Sequence, residues 1–251
     1  MGTTATAPVR VGLLLAAVLG LGGCHGASDP SSGSDSTRPT SAAPSAGHTL
    51  FTDPFDDDAN GWALPENENS RMEFLGGDFV WEAKRAADLR PHVLAATLGD
   101  AFDRGDGPQM RNVVVRASVT PVRGTGAMGV FCREVRDTDS DFQWYEFVAR
   151  DGYAAIRRGD SAGHLDVLAA THDLDLPLGR EAALEAACVD GADGRARLWL
   201  SVDGTAVLVA NDSHPLGNGA AGLQAYDSPD KASDARYLIR WHDFTIYRPA
   251  S

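Results

Sequence analysis

The feature that most limits what this chain can fold into is a succession of short segments in which apolar and polar residues alternate, divided by glycine-bearing turns. Residues 78–84, 112–122, 128–135, 142–149, 195–202, 205–210 and 237–247 are rich in Val, Phe, Trp, Tyr and Ile. Between them stand Gly76-Gly77, Asp151-Gly152, Asp190-Gly191 and Asp203-Gly204, dipeptides that adopt the positive φ of tight hairpins. Side chains of a strand point alternately to its two faces, so a period of two buries one face of a sheet. Helical periodicity is not convincing anywhere; residues 180–187 are ambiguous because of their Ala and Glu content. Many short strands at this spacing predict an all-β domain, an antiparallel two-sheet jelly-roll sandwich, over residues 48–251.

One turn fixes which residues face which way. If Asp151-Gly152 is a two-residue hairpin loop, Phe147 lies opposite Ile156, Tyr145 opposite Arg158 and Glu146 opposite Arg157. One face then carries Tyr145, Phe147, Ala154 and Ile156, an apolar set suited to the core. The other carries Trp144, Glu146, Tyr153 and Arg157, a mixture suited to a solvent-exposed sheet.

The N-terminal region is of another kind. Arg10 precedes an apolar run of 13 residues, 11–23. A spanning helix needs about 20 residues, so residues 1–23 read as a signal peptide. The run ends Leu21-Gly22-Gly23-Cys24, which resembles the lipobox of bacterial lipoproteins. That resemblance implies cleavage before Cys24 and lipid on its thiol. It also implies a domain held at the extracytoplasmic face of the bacterial membrane, where more than one acyl chain gives durable anchoring. Met1-Gly2 begins an N-myristoylation pattern, but the apolar run that follows contradicts a cytosolic reading. Residues 24–47 form the lipidated cysteine and a Ser/Pro/Gly linker without Leu, Ile, Val or aromatic residues. Such a segment cannot offset its ordering entropy by burial and reads as a flexible tether spanning roughly 25–30 Å.

Charge excludes one class of partner. The formal net charge is −13, lysine occurs only at Lys84 and Lys231, and no basic stripe is present to neutralise phosphates. Nucleic acid is therefore not an expected partner; the membrane, through its lipid anchor, and a glycan are.

The glycan expectation comes from a resemblance. The succession TLFTDPFDDDANGW, GGDFVWEA, GVFCREVRD, FQWYEFVARDGYAAIRRG, EAACVDG, LWLSVDGTAV, GAAGL and WHDFTIY resembles the concanavalin A-like jelly-roll domains of bacterial lipoproteins. Laminin-G-like and 3-keto-disaccharide hydrolase-like domains are the nearest groups. The resemblance spans about residues 49–248 and implies a two-sheet sandwich whose concave face often binds sugars. It transfers no catalytic residue, because the E-x-D-x-x-E signature of laminarinase-like enzymes is absent; Glu134-Val135-Arg136-Asp137 does not fit it.

Cys132 shares a strand face with Met128 and Val130, and Cys188 with Leu184 and Ala186. Both face inward in an oxidising compartment, which predicts a disulfide between them. If Cys132 faces the core, Arg133 faces the other way and joins Trp144, Glu146, Tyr153 and Arg157 as a candidate ligand-binding set. Trp144 would stack on the apolar face of a sugar, and the charged groups would bond its hydroxyls. The plainer account of Glu146 and Arg157 is a cross-strand pair contributing roughly 0.2–1 kcal/mol.

Other motifs carry less. Gly159-Asp160-Ser161-Ala162-Gly163 fits G-x-S-x-G, but it stands between two β-type segments and lacks the strand–turn–helix context of a hydrolase elbow. It reads as a glycine-rich hairpin loop. Arg104-Gly105-Asp106 and Arg158-Gly159-Asp160 match a cell-adhesion tripeptide by chance in an Asp-rich chain. Asp56, Asp58 and Asn60 offer oxygens at alternate positions, with Gly61 sixth, like the start of a calcium loop. Asn67 in place of Glu at the twelfth position excludes an EF-hand. A lone structural calcium could still use these oxygens with Asp243, and the pattern calls for no other cofactor. The expected function is a non-catalytic, glycan-binding surface lipoprotein. The alternatives are a glycoside-processing enzyme on the same fold and a structural or scaffolding lipoprotein.

Overall fold

The computed structural model describes residues 43–62, 70–83, 92–94, 110–138, 141–226 and 236–250, and shows no α-helix among them. The signal peptide, Cys24 and most of the linker lie outside these residues. The described residues form fourteen strands: β1 (Ala46–Asp53), β2 (Ser70–Phe74), β3 (Phe79–Ala83), β4 (His92–Leu94), β5 (Val113–Arg123), β6 (Ala127–Thr138), β7 (Asp141–Arg150), β8 (Tyr153–Asp160), β9 (Leu165–Thr171), β10 (Ala182–Asp190), β11 (Ala196–Val202), β12 (Thr205–Asp212), β13 (Ala220–Tyr226) and β14 (Leu238–Pro249). They form two antiparallel sheets, the jelly-roll sandwich expected from the alternation. The eight-stranded sheet runs β12-β11-β10-β5-β14-β3-β2, with β1 also on β14; the six-stranded sheet runs β4-β13-β6-β7-β8-β9.

The core lies between the sheets and follows the period of two. From β5 it takes Val113, Val115, Ala117 and Val119; from β7, Tyr145, Phe147 and Ala149; from β14, Trp241, Phe244 and Ile246. The β7–β8 hairpin has the expected register, Phe147 against Ile156, Tyr145 against Arg158 and Glu146 against Arg157. Its turn depends on Gly152 at φ 71°, a conformation that costs glycine little.

Residues 180–187, ambiguous by composition, belong to β10. This strand is central, flanked by β5 and β11, and buries Ala182, Leu184, Ala186 and Cys188 on one face. Small residues suit a strand whose inner face meets a crowded sandwich centre, so their helical propensity is overridden by packing. The linker also ends earlier than its composition suggested. β1 begins at Ala46, which pairs with Pro249, and Ala43 packs against a cluster on Val114, Ala187 and Trp199.

Cys132 on β6 and Cys188 on β10 form a disulfide with Cα atoms 6.7 Å apart. Because β6 and β10 belong to different sheets, the bond ties the two layers together across the core. Opposite Cys132 on β7, the Tyr145 hydroxyl donates to Asp212 Oδ2 at 2.6 Å and accepts from the Leu216 amide at 3.0 Å. Burial, together with that carboxylate, pushes the Tyr145 phenol well above its ordinary pKa.

Candidate functional site on the six-stranded sheet

The outward face of the six-stranded sheet is assembled by register. On β7 it carries Phe142, Trp144, Glu146 and Val148; opposite these on β8 stand Gly159 (to Trp144), Arg157 (to Glu146) and Ala155 (to Val148). On β6, Phe131 lies beside Glu146 and Gly129 beside Val148. On β13, Gly222 pairs with Phe131 and Gln224 with Gly129. Two charged pairs stand on this face: Glu146 with Arg157 across β7 and β8, and Glu134 with Arg136 along β6 at 2.9 Å.

Of the five candidate ligand-binding residues, the structure brings four to this face and removes one. Trp144, Glu146, Tyr153 and Arg157 share it, as the hairpin register required. Arg133 does not. A β-bulge interrupts the β6–β7 ladder between Cys132 and Val135, and Arg133 sits in it at φ 52°. The extra residue breaks the alternation, and the Arg133 side chain turns toward the other sheet, fully buried. There it donates to the carbonyls of Arg111 (2.7 Å) and Leu216 (3.1 Å) and to Asp190 Oδ1 (3.0 Å) at the end of β10.

The face is also drier than expected. Glu146 and Trp144 are each 3% exposed and Arg157 6%, so Trp144 is not an open platform. Its indole N–H donates to Glu146 Oε2 at 3.2 Å and its ring lies against Gly159, where any side chain would collide with it. One ring face stacks with Phe142, centroids 5.4 Å apart at 27°, and the Arg136 guanidinium stands 5.8 Å from the Phe142 centroid. Gln224 is 1% exposed, and neither atom of its amide has a hydrogen-bond partner among the described residues. Tyr153, at the far end, packs on Ala127, Val148 and Ala155 under the Arg150 guanidinium.

Solvent reaches the face at its other end. A cavity of about 310 Å³ is lined there by Glu134, Arg136, Phe142, Trp144, Asp160, Ser161 and Gly163. The segment set aside as a G-x-S-x-G decoy supplies its wall. The Ser161 amide donates to the Phe142 carbonyl (2.9 Å), stapling the turn to β7. Asp160 accepts from the His164 amide at Oδ1 and meets its imidazole Nδ1 at Oδ2, both at 2.9 Å. This hydrogen bond to the imidazole holds the Asp160 carboxyl below its ordinary pKa and raises that of His164. Among these residues only Trp144 was a sequence candidate. Phe142 stands two positions before Trp144 on the same strand, and that spacing could have found it; Glu134 and Arg136 were hidden by the bulge.

The calcium candidates are not gathered. Asp56, Asp58 and Asn60 follow β1 in a turn where the Asp58 carbonyl accepts from the Gly61 amide at 2.9 Å. Asp243 stands on β14 and accepts from the Ser118 hydroxyl at 2.7 Å. Among the described residues no group of three or more His, Cys, Asp or Glu side chains is placed to hold a metal ion.

Known structures share this architecture. A protein of unknown function with galectin-like fold from Bacillus subtilis superposes with a TM-score of 0.59 at 13% identity, covering 82% of this chain and 98% of that one. SCLam, a non-specific endo-β-1,3(4)-glucanase of family GH16, gives a TM-score of 0.54 at 12% identity, covering 85% of this chain and 98% of its own. The carbohydrate recognition domain of Emp46p gives 0.52 at 10% identity, covering 81% and 95%. No family model and no curated protein matches the sequence. At these identities the likeness establishes the fold, a galectin-like and concanavalin-like β-sandwich, and leaves function to the site.

Proposed function

We propose that this chain is a membrane-anchored extracytoplasmic lipoprotein whose β-sandwich binds glycan, without catalysis, at the solvent-open end of the six-stranded sheet. The observation that carries the reading is the lining of that opening: the Phe142 and Trp144 rings beside the carboxylates of Glu134 and Asp160 and the Arg136 guanidinium. Sugars present apolar C–H faces bordered by hydroxyls, and aromatic faces with charge-assisted donors and acceptors match both. Two proteins of the same fold are described as a carbohydrate recognition domain (Emp46p) and an endo-β-1,3(4)-glucanase (SCLam), which supports the class of ligand.

Binding is favoured over hydrolysis by the state of Asp160: acid catalysis of glycoside cleavage needs a carboxyl group that keeps its proton, and the hydrogen bond to the His164 imidazole holds the Asp160 carboxyl below its ordinary pKa. Glu134 is paired with Arg136 and Glu146 with Arg157. Anchoring rests on the lipobox-like Leu21-Gly22-Gly23-Cys24 and the polar tether that follows. The test is a glycan array probed with the full chain in detergent, run beside hydrolysis assays on the same sugars. Retention of a glycan without its turnover supports the reading. Turnover favours the enzyme, and an array without signal ends the glycan proposal.

A further inference from the structure

We infer that the site takes the terminus of a glycan, one or two sugar units deep, and not an internal stretch of a chain. The inference rests on the glycan reading and deepens it. A polysaccharide bound along its length needs a groove open at both ends. Here the middle of the outward face is closed on β6, β7, β8 and β13: Phe131 and Val148 are fully buried, and Glu146, Arg157 and Gln224 are each at least nine-tenths buried. On these strands it opens beside the cavity one or two rungs nearer the strand ends, where the side chains of Arg136 and Asp160 are 31% and 34% exposed; the other exposed outward residues, such as Val167 on β9, lie off the cavity. The cavity between them is about 310 Å³, at the small end of the roughly 300–1,000 Å³ typical of small-molecule sites.

The wall on the β8 side is the turn at residues 160–164. It is held by the Ser161 amide on the Phe142 carbonyl, the Gly163 amide on the Asp160 carbonyl (3.0 Å) and the two bonds that the Asp160 carboxylate accepts from His164. A turn with so many internal bonds is pre-organised, and a rigid wall excludes a chain that would have to continue past it. Specificity would then reside in Asp160 and Ser161 as much as in the aromatic rings.

The experiment measures binding of the full chain to mono- through hexasaccharides of the gluco-, galacto-, manno- and xylo- series. Each is also tested with its reducing end converted to the alditol, and beside its parent polysaccharide. Terminal recognition predicts affinity that levels off at the disaccharide and, for a polysaccharide, capacity that scales with the number of chain ends. Ser161→Trp, which fills the cavity from a partly exposed turn, should abolish binding. The surface control Leu178→Trp, at an exposed position away from the cavity, should retain it. Affinity that keeps rising to the hexasaccharide, or indifference to Ser161→Trp in a folded variant, overturns the inference and leaves glycan binding standing. Failure of every sugar in these series and on the array removes both.

Discussion

The Trp144 indole lies against the backbone of Gly159 on the neighbouring strand, and the absence of a side chain at 159 is what makes room for it. Adding a methyl group there forces the ring, its bond to Glu146 and its stack on Phe142 to shift together. Gly159→Ala should destabilise the domain by about 1–3 kcal/mol, the range for overpacking a filled site. Denaturant unfolding followed by tryptophan fluorescence measures it, and an unchanged midpoint would show that the ring relocates freely.

The disulfide joins residues separated by 56 positions and links the two sheets. Chain-entropy arguments assign a loop of this size about 4 kcal/mol of stabilisation. The Cys132→Ala/Cys188→Ala variant should therefore melt well below the native protein while keeping its strand content. Calorimetry with circular dichroism separates that result from a bond that adds nothing.

The Asp160–His164 pair should make the cavity wall sensitive to pH. Asp160 is lowered from 3.8, so its contribution is present above that value and is lost as pH falls through the folded pKa. His164 is raised from 6.5, so its contribution is full below that value and is lost as pH rises through the folded pKa. Both are complete between 3.8 and 6.5. The His164 ring signals in an NMR titration should move to lower midpoint in Asp160→Asn. A midpoint that stays put would mean that the pair does not form in solution.

Glu146 and Arg157 are both buried, and single and double substitutions should differ in a diagnostic way. Glu146→Leu alone leaves a guanidinium without its carboxylate and should cost about 3–5 kcal/mol. Glu146→Leu with Arg157→Met removes both charges and should recover much of that loss. Additive losses in the double variant would argue that the pair is not coupled.

The hairpin shows how far the sequence reaches. A two-residue turn at Asp151-Gly152 set every partner between β7 and β8, and with them the face shared by Trp144, Glu146, Tyr153 and Arg157. What was not legible depends on exceptions to the period of two. The bulge at Arg133 leaves no mark in composition, because a positive φ is unusual for arginine and its cost is met by three tertiary bonds. Solvent access was illegible for a different reason. Alternation tells which face a residue takes and says nothing about how deeply that face is buried, so Trp144 looked like a platform when its neighbours enclose it. The turn at residues 160–164 was legible as a loop; its place at the mouth of the cavity depends on sheet order.

Among the described residues β1 pairs with β14 alone, and its register slips between Ala46 and Thr49 and again between Thr49 and Phe51. Under the anchoring proposed for Cys24, a force between the membrane and a captured ligand meets the fold first at Ala43, packed on Val114, Ala187 and Trp199, and then at the β1 ladder from Ala46. The first rungs to bear it are the irregular ones, in an exposed stretch that contributes nothing to the core. They can let go before the continuous run from Phe51 to Asp53 is strained. The start of β1 would thus serve as a short reserve of slack, lengthening the leash under load while the sandwich stays whole.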